Sequence, residues 1–244
     1  CYAMLENGSH AVIKTKSNEE GTLALINELI SANLAKYLNL SLPDFGLGII
    51  DKNTNFNKEI INLTDKDFGT CFYSSFIEKV MYLNDESSLK YIEMKSFSEE
   101  MILFDHIIYN RDRHSRNLLI LAEKDTKIYL IDHSHTFKNN TFWSKHCFSQ
   151  GIRDCDYKTL EIMESEGNKQ VYSKFIRHKA IDKELLLDKA VFFKKMIDKD
   201  CLHEIVNKIP NDWTPEEYDL SELIEYLLYR IEHINEICNT ILSQ

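Results

Sequence analysis

Three polar residues near the middle of the chain have the types and the spacing of a phosphoryl-transfer site. Asp112 lies in an Asp-Arg-His turn, Asn117 follows five positions later, and Asp132 ends a second apolar segment. Phosphoryl transfer needs charge neutralisation and an aligned acceptor hydroxyl more than covalent help from the protein. We therefore predict that Asp112 is the catalytic base or orients the hydroxyl. Asn117 and Asp132 are predicted to hold Mg²⁺ through their side-chain oxygens.

Three neighbours of Asp112 are predicted to support this turn. Arg113 and His114 brace it through hydrogen bonds, and Asn110 holds it from the other side. An isolated Asp-Arg-His sequence could equally be a surface turn. The interpretation therefore depends on the combination with Asn117 and Asp132.

A lysine and a glutamate nearer the N-terminus are candidates for the phosphate-binding side of an ATP site. Lys14 ends an alternating strand pattern, and Glu28 lies in the helix that follows. A strand lysine paired with a helix glutamate holds the α- and β-phosphates in kinase folds. Alone, each could be an ordinary surface residue. The aromatic stretch 72–78 is either a core strand or contains the hinge that contacts adenine. The predicted adenine contacts are Phe76, Ile77 and Glu78.

The elements that must position these residues follow from hydrophobic periodicity and turn residues. An Asn7-Gly8 turn predicts a β-hairpin over residues 2–15. Further predicted strands cover residues 46–51, 71–77, 118–121 and 128–131, the last two joined by a turn at 123–127. Predicted helices cover residues 20–38, a buried segment ending near Asp105, 157–178, 182–207 and 218–242, with Thr214 and Pro215 suited to a helix start. Residues 136–150 are predicted as a polar and aromatic loop.

This order of elements predicts an α+β fold of the bilobal, protein-kinase-like type. A small, β-rich N-lobe precedes a larger, mainly helical C-lobe, and a nucleotide would bind in the cleft between them. We expect one domain over residues 1–244, with the N-lobe at 1–80 and the C-lobe at 81–244.

Composition argues against several classes of protein. The formal net charge of −10 disfavours a nucleic-acid-binding surface, which needs clustered Lys and Arg. The six cysteines form no Cys-x-x-Cys pair, so reduced thiols in a cytoplasmic protein are expected. No apolar run is long enough to cross a bilayer and no signal peptide is visible, although the chain opens on Cys1.

The segments 110–117 and 131–137 resemble the HipA-like kinases. These are bacterial relatives of the toxin kinase HipA, and they share this signature with phosphatidylinositol kinases. The Asp-Arg-His-x-x-Asn element is the most specific part of the resemblance, which covers nearly the whole chain. Weaker matches to the family lie at residues 27–40 with Pro43, at 68–70, at 209–213 and at 227–230.

The resemblance implies an ATP- and Mg²⁺-dependent kinase that acts on Ser/Thr hydroxyls of proteins. It implies an unknown protein substrate and allows a cognate regulatory protein. From the net charge and the lack of a long apolar run, we expect no direct binding to nucleic acid or membrane. The alternatives are a small-molecule or lipid kinase, or a nucleotide-binding pseudokinase. One departure is that no Gly- or Ser-rich phosphate-covering loop precedes Tyr2. Either an upstream segment supplies it, or the turn Glu6–Ser9 does.

Two further features of the sequence have competing interpretations. The set His133, His135, His146 and Cys147 could bind zinc, but the spacing fits no familiar zinc site and a structural role is favoured. In the same region, Phe142 and Trp143 either contact a substrate or pin the loop to the core, with a slight preference for pinning.

Overall fold

A computed structural model describes residues 1–55, 63–83, 89, 96–121, 126–214 and 220–244. Its N-terminal part is a small antiparallel sheet packed against one long helix, and the remainder is mainly helical. The predicted α+β class is therefore confirmed. The first helix, the hairpin and both N-terminal strands lie within a few residues of their predicted positions.

Within the described residues, the N-terminal sheet consists of four antiparallel strands, β1 (Tyr2–Met4), β2 (His10–Lys14), β3 (Phe45–Ile50) and β4 (Gly69–Ser75). Their spatial order is β1-β2-β4-β3. The hairpin closes through a bond from Gly8 N–H to Leu5 O, and Gly8 has φ 82°, which glycine adopts without steric cost. Strand β4 ends at Ser75, so the predicted adenine contacts follow this strand instead of lying in it. Between β2 and β3 the chain forms helix α1 (Thr22–Tyr37).

Helix α1 is buried on all sides from Leu23 to Ala35. The sequence predicted an amphipathic helix, because apolar residues recur at helical spacing while polar residues occupy the other face. The structure covers that polar face too, and Asn27, Glu28 and Ser31 are buried. Buried polar side chains need partners. The partners of these three side chains are Lys14 and residues of the segment 134–143, which surround the predicted site.

A second sheet carries the predicted catalytic segment between its strands. Helix α2 (Phe97–Ile107) leads into that segment, and the strands β5 (Val80–Tyr82), β6 (Leu118–Leu121) and β7 (Lys127–Leu130) pair in sequence order. Strand β5 was not predicted, and the expected lobe boundary at 80/81 falls inside it. The predicted turn at 123–127 lies mostly outside the described residues.

Each of the three predicted C-terminal helices is interrupted in the structure. The first begins at Glu161 and breaks at Ser165, where ψ is 141°. The second breaks because Asp198 accepts a bond from Cys201 N–H and caps a new helix. The third breaks at His233, and Pro215, in the predicted helix start, lies outside the described residues. The helices are α4 (Glu161–Glu164), α5 (Glu166–His178), α6 (Lys183–Met196), α7 (Lys199–Val206), α8 (Ser221–Glu232) and α9 (Ile234–Leu242).

The prediction of a loop over residues 136–150 is wrong in its second half, where α3 (Lys145–Arg153) begins. This helix is short and polar, and Gly151 lowers its intrinsic propensity. Tertiary packing stabilises it, since Phe148 stacks on Tyr226 of α8 with ring centroids 5.2 Å apart. A Cβ at Gly151 would lie 2.9 Å from the Tyr226 ring, so this close packing requires glycine.

A C-terminal segment fastens the helical part to the N-terminal sheet. Trp213 Nε1 donates to Thr70 O at 2.9 Å, and Asp212 accepts from Thr70 N–H at 3.0 Å. Lys16 forms an ion pair with the same Asp212 carboxylate at 3.0 Å. Two of the segments that carried the weaker resemblance, 68–70 and 209–213, therefore contact each other.

All six cysteines are free thiols. Among the helices that the structure describes, none is both long and apolar enough to cross a bilayer.

The buried His106 makes stability depend on pH. Burial and the Arg230 guanidinium lower the pKa of His106 to about 3, and among the described residues neither ring nitrogen has a hydrogen-bond partner. The unfolded chain takes up this proton near pH 6.5, whereas the folded protein does not. Stability should therefore fall as pH drops, by about 1.4 kcal/mol per pH unit from this residue.

Urea unfolding between about pH 4 and pH 5.5 measures this effect, with His106→Leu as the comparison. We expect the wild-type slope to exceed that of His106→Leu by about 1.4 kcal/mol per pH unit. Parallel slopes would show that His106 is protonated equally in the folded and unfolded protein.

Candidate active site

Asp112 lies in a turn whose backbone is fixed on both sides. Its N–H donates to Asn110 Oδ1 at 2.9 Å, and its C=O accepts from Asn117 Nδ2 at 2.7 Å. The Asp112 side chain itself is partly exposed. His114 also supports this turn, since its Nδ1 accepts from Arg116 N–H at 3.2 Å. The predicted base, its predicted brace Asn110 and the predicted metal ligand Asn117 are thus brought together.

A buried guanidinium connects this turn to the residues around Asp132. Arg113 has no solvent exposure and bonds to both carboxylate oxygens of Asp105, at 2.8 and 3.0 Å. It also donates to Asn117 O at 3.3 Å and to Ile131 O at 3.2 Å, and it contacts His133 Nε2 at 3.1 Å. Arg113 therefore joins the two segments that carry Asn117 and Asp132. The same segments are also paired directly by the β6–β7 ladder and by the bond from Ile131 N–H to Asn117 O.

Lys14, Glu28 and Asp132 meet on the other side of the site. Lys14 Nζ is hydrogen-bonded to Glu28 Oε1, and it lies 2.6 Å from Asp132 Oδ1. Asp132 also accepts from Ser134 Oγ at 3.0 Å. Its φ of 57° is uncommon for a residue other than glycine, and such conformations cluster at functional sites.

The pKa values of this trio follow from burial and from mutual attraction. Burial opposes the charged form of Lys14, but the two carboxylates outweigh it and raise the Lys14 pKa. Burial also opposes the charged form of Asp132, yet Lys14 holds the Asp132 pKa well below its usual range. Burial raises the pKa of Glu28 despite the same lysine. Asp132 is therefore a full carboxylate at neutral pH, as a metal ligand must be.

A cleft of about 320 Å³ opens from this trio toward the segment after β4. Its walls are largely apolar, and Phe76 and Ile77 line it as predicted adenine contacts would. Glu78 is exposed and is not among the residues that line the cleft. The turn Glu6–Ser9 is at the opposite end of β2 from Lys14, roughly 17 Å along the strand. It is therefore not positioned to cover phosphates bound at Lys14.

A second, polar cavity of about 250 Å³ lies on the Asp112 side. His135 joins two carboxylates there, with Nδ1 3.6 Å from Asp112 and Nε2 3.0 Å from Glu20. The Oδ1 atom of Asn140 is buried without a hydrogen-bond partner among the described residues. Neither His135 nor Asn140 was predicted to have such a role. The lining residues are Arg111, Asp112, His135, Asn140 and Ser165.

The structure distinguishes Phe142 from Trp143, the two aromatic residues with competing interpretations. Trp143 is buried and pins the loop, because its Nε1 donates to Asn27 Oδ1 at 2.8 Å. Phe142 is 79% exposed. In the described ranges, no three His, Cys, Asp or Glu side chains come together as a metal cluster would require.

The donor chemistry of the site suits Mg²⁺. Asp132 supplies a carboxylate, and Asn117 supplies an amide oxygen because its nitrogen is used by Asp112 O. Hard oxygen donors of this kind, few in number, match a cation that keeps water and phosphate as its other ligands.

A solved structure shares the fold of this chain. The structure is similar to the crystal structure of the Helicobacter pylori proinflammatory kinase CtkA, with a TM-score of 0.59 and 13% identity, over 99% of this chain and 92% of CtkA. An N-terminal 618-residue fragment of LepB from Legionella pneumophila matches with a TM-score of 0.48 and 14% identity, over 98% of this chain and 45% of that fragment. No curated protein sequence matches.

The sequence profile of the HipA-like kinase family matches residues 2–171. That range contains the Lys14, Glu28 and Asp132 trio as well as the Asp112 turn. The chain belongs to the HipA-like kinase family.

Proposed function

We propose that this protein transfers the γ-phosphoryl group of ATP to a hydroxyl group, most directly a Ser or Thr hydroxyl of a protein, with Mg²⁺ as cofactor. The observation that carries the proposal is that one buried side chain joins the segments of two polar groups, which form two halves of the site. Lys14, Glu28 and Asp132 form a phosphate- and metal-binding half, while Asp112 forms an acceptor half. Arg113 connects the halves through Asn117 and Ile131.

The larger cleft suits the nucleotide. Its volume of about 320 Å³ is within the range of small-molecule sites, and its apolar walls suit a planar base. Lys14 at the cleft end would bind phosphate oxygens as a compact cation. Asp132 and Asn117 would hold Mg²⁺, which supplies neutralisation of the phosphate charge when bound.

The polar cavity suits the acceptor. Asp112 would accept a hydrogen bond from the acceptor hydroxyl and take its proton while the oxygen bonds to the γ-phosphorus. The bond between the γ-phosphorus and the bridging oxygen breaks, and ADP leaves. The cavity lining includes the side chains of Asn140 and Ser165, polar groups that suit a peptide segment carrying the acceptor hydroxyl. The exposed Phe142 ring is available to an apolar side chain of such a segment.

Incubation with γ-labelled ATP and Mg²⁺ tests the proposal, with the protein alone and with cell lysate. Label on the protein itself or on a lysate protein, resistant to lipid extraction, supports a protein kinase. Label in lipid or in small molecules instead would retain the transferase and overturn the protein acceptor. Stabilisation by ATP without any transfer would indicate a nucleotide-binding pseudokinase.

The variant Asp132→Asn should lower transfer at least about 100-fold, because an amide replaces the charged metal ligand. Thermal unfolding provides a second measurement. Wild-type protein should be stabilised more by ATP with Mg²⁺ than by ATP with EDTA, and the variant should show no such difference. The exposed Asp188→Asn is the matched control. A variant that keeps the Mg²⁺-dependent stabilisation would contradict the role of Asp132.

A further inference from the structure

Asn27 is a buried amide at the centre of a network that spans the site. It has no solvent exposure. Its Nδ2 lies within hydrogen-bonding distance of the carbonyl oxygens of Ser134 at 2.7 Å, Thr136 at 3.2 Å and Asn140 at 3.1 Å. Its Oδ1 accepts from Trp143 Nε1 at 2.8 Å. A single side chain on α1 thus uses both of its polar atoms to hold the 133–143 loop.

This loop needs such support. Phe137, Asn139 and Asn140 all have positive φ, at 65°, 78° and 55°. Asparagine tolerates this left-handed region more readily than most residues, but a bulky residue such as Phe137 stays there only where the surroundings impose it. The carbonyls that Asn27 binds, at Thr136 and Asn140, flank this strained stretch on both sides.

The same loop forms one wall of the polar cavity at Asp112. His135 and Asn140 line the cavity, and His135 contacts Asp112. Asn27 precedes Glu28, which bonds to Lys14 at the nucleotide cleft. Adjacent residues of one helix therefore contact the loop on the acceptor side and the lysine on the phosphate side.

We propose that Asn27 is a positioning residue that holds the acceptor wall of the site in register with the Lys14–Glu28 pair. The proposal rests on the proposed function for its kinetic consequences. Its structural content, that the loop conformation depends on the Asn27 amide, is independent of the proposed function. Asn27 contacts neither the cleft nor the polar cavity directly, so its effect is exerted through the 133–143 loop.

Asn33 provides a matched control on the same helix. It is also buried, but its Nδ2 bonds to Leu29 O within α1 at 2.8 Å, and Lys208 approaches its Oδ1 at 3.4 Å. Removing either amide deletes a buried asparagine from α1. Of these two asparagines only Asn27 is bonded to the loop, so Asn33→Ala measures what a merely structural loss does.

Hydrogen–deuterium exchange of the 133–143 loop tests the structural part. In Asn27→Ala and in the isosteric Asn27→Asp, we expect its protected amides, including that of Phe137, to exchange at least about tenfold faster. Asn33→Ala should leave them unchanged. Equal protection in folded Asn27 variants, or equal loss in Asn33→Ala, would overturn the proposal. If the Asn27 variants do not fold, Trp143→Phe serves instead, because it removes the hydrogen bond from Trp143 Nε1 to Asn27 Oδ1. Unchanged exchange of the loop amides in Trp143→Phe would also overturn the proposal.

Steady-state kinetics test the functional part, with dephosphorylated casein or the protein itself as acceptor. We expect kcat to fall at least about tenfold in the Asn27 variants, since small displacements of aligned groups are costly. The KM for ATP should stay within about threefold of wild type, since Asn27 does not line the nucleotide cleft. A raised KM for ATP with unchanged kcat would count against positioning of the acceptor wall. If wild-type protein transfers no phosphate, the proposed function fails, while the exchange comparison still decides the role of Asn27.

Discussion

Replacing Asp112 with asparagine is expected to lower kcat about 10²–10⁴-fold, the usual contribution of a general base. The substitution keeps the size of the side chain. It also leaves intact the two backbone bonds that hold the turn, from Asp112 N–H to Asn110 and from Asn117 to Asp112 O. The Asp112 carboxylate is 43% exposed and faces the polar cavity, so its loss should change the free energy of unfolding by less than about 0.5 kcal/mol.

The measurement is phosphoryl transfer from γ-labelled ATP, together with thermal stabilisation by ATP and Mg²⁺. Asp112→Asn should lose transfer and keep stabilisation, because Asp112 lies outside the nucleotide cleft. This distinguishes it from Asp132→Asn, which should lose both. The control is Asp154→Asn, which makes the same chemical change at an exposed aspartate outside both cavities. Full transfer by purified Asp112→Asn would rule out Asp112 as the base.

Local sequence patterns predicted the elements that carry the site, because turn residues and hydrophobic periodicity within each segment specify its hairpin, strand or helix. The Asn7-Gly8 turn predicts its hairpin, and the alternation of β2 leads directly to Lys14. Spacing along the chain also predicted that Asp112, Asn117 and Asp132 belong to one site. In the structure Arg113 links their segments through Asn117 O and Ile131 O.

Some residues that act over long sequence separations, namely Asn27 and His135, were not predicted to belong to the site. Asn27 occupies the polar side of α1, where a sequence pattern indicates solvent. Its partners lie more than 100 positions away, at Ser134 to Trp143, and the pattern of α1 carries no information about them. The role of His135 was missed for the same reason, because its two carboxylate partners, Glu20 and Asp112, lie elsewhere in the sequence. Helix α3 was missed for a related reason, since packing on α8 stabilises it more than its own composition does.

The ion pair between Asp105 and Arg113 should have the largest effect on stability. Both side chains have no solvent exposure, and the carboxylate also accepts from Asn110 Nδ2 at 2.8 Å and from Tyr172 OH at 2.9 Å. Asp105→Leu would leave a buried guanidinium without its counter-charge. We expect this to lower the free energy of unfolding by about 3–5 kcal/mol. In the exposed pair Arg111–Glu161, Arg111→Met should cost less than about 1 kcal/mol.

The double variant Asp105→Leu with Arg113→Met separates stability from function. Removing both charges avoids an unpaired buried ion, so the double variant should be more stable than either single variant. It should nevertheless transfer phosphate poorly, because the bonds from Arg113 to Asn117 O and Ile131 O are absent. Urea unfolding and phosphoryl-transfer assays on the four proteins measure both effects. A double variant with wild-type transfer would mean that the segments of Asn117 and Asp132 keep their positions without Arg113. Recovery of stability alone would mean that this buried ion pair is retained for the geometry of the site, since apolar residues can replace its contribution to folding.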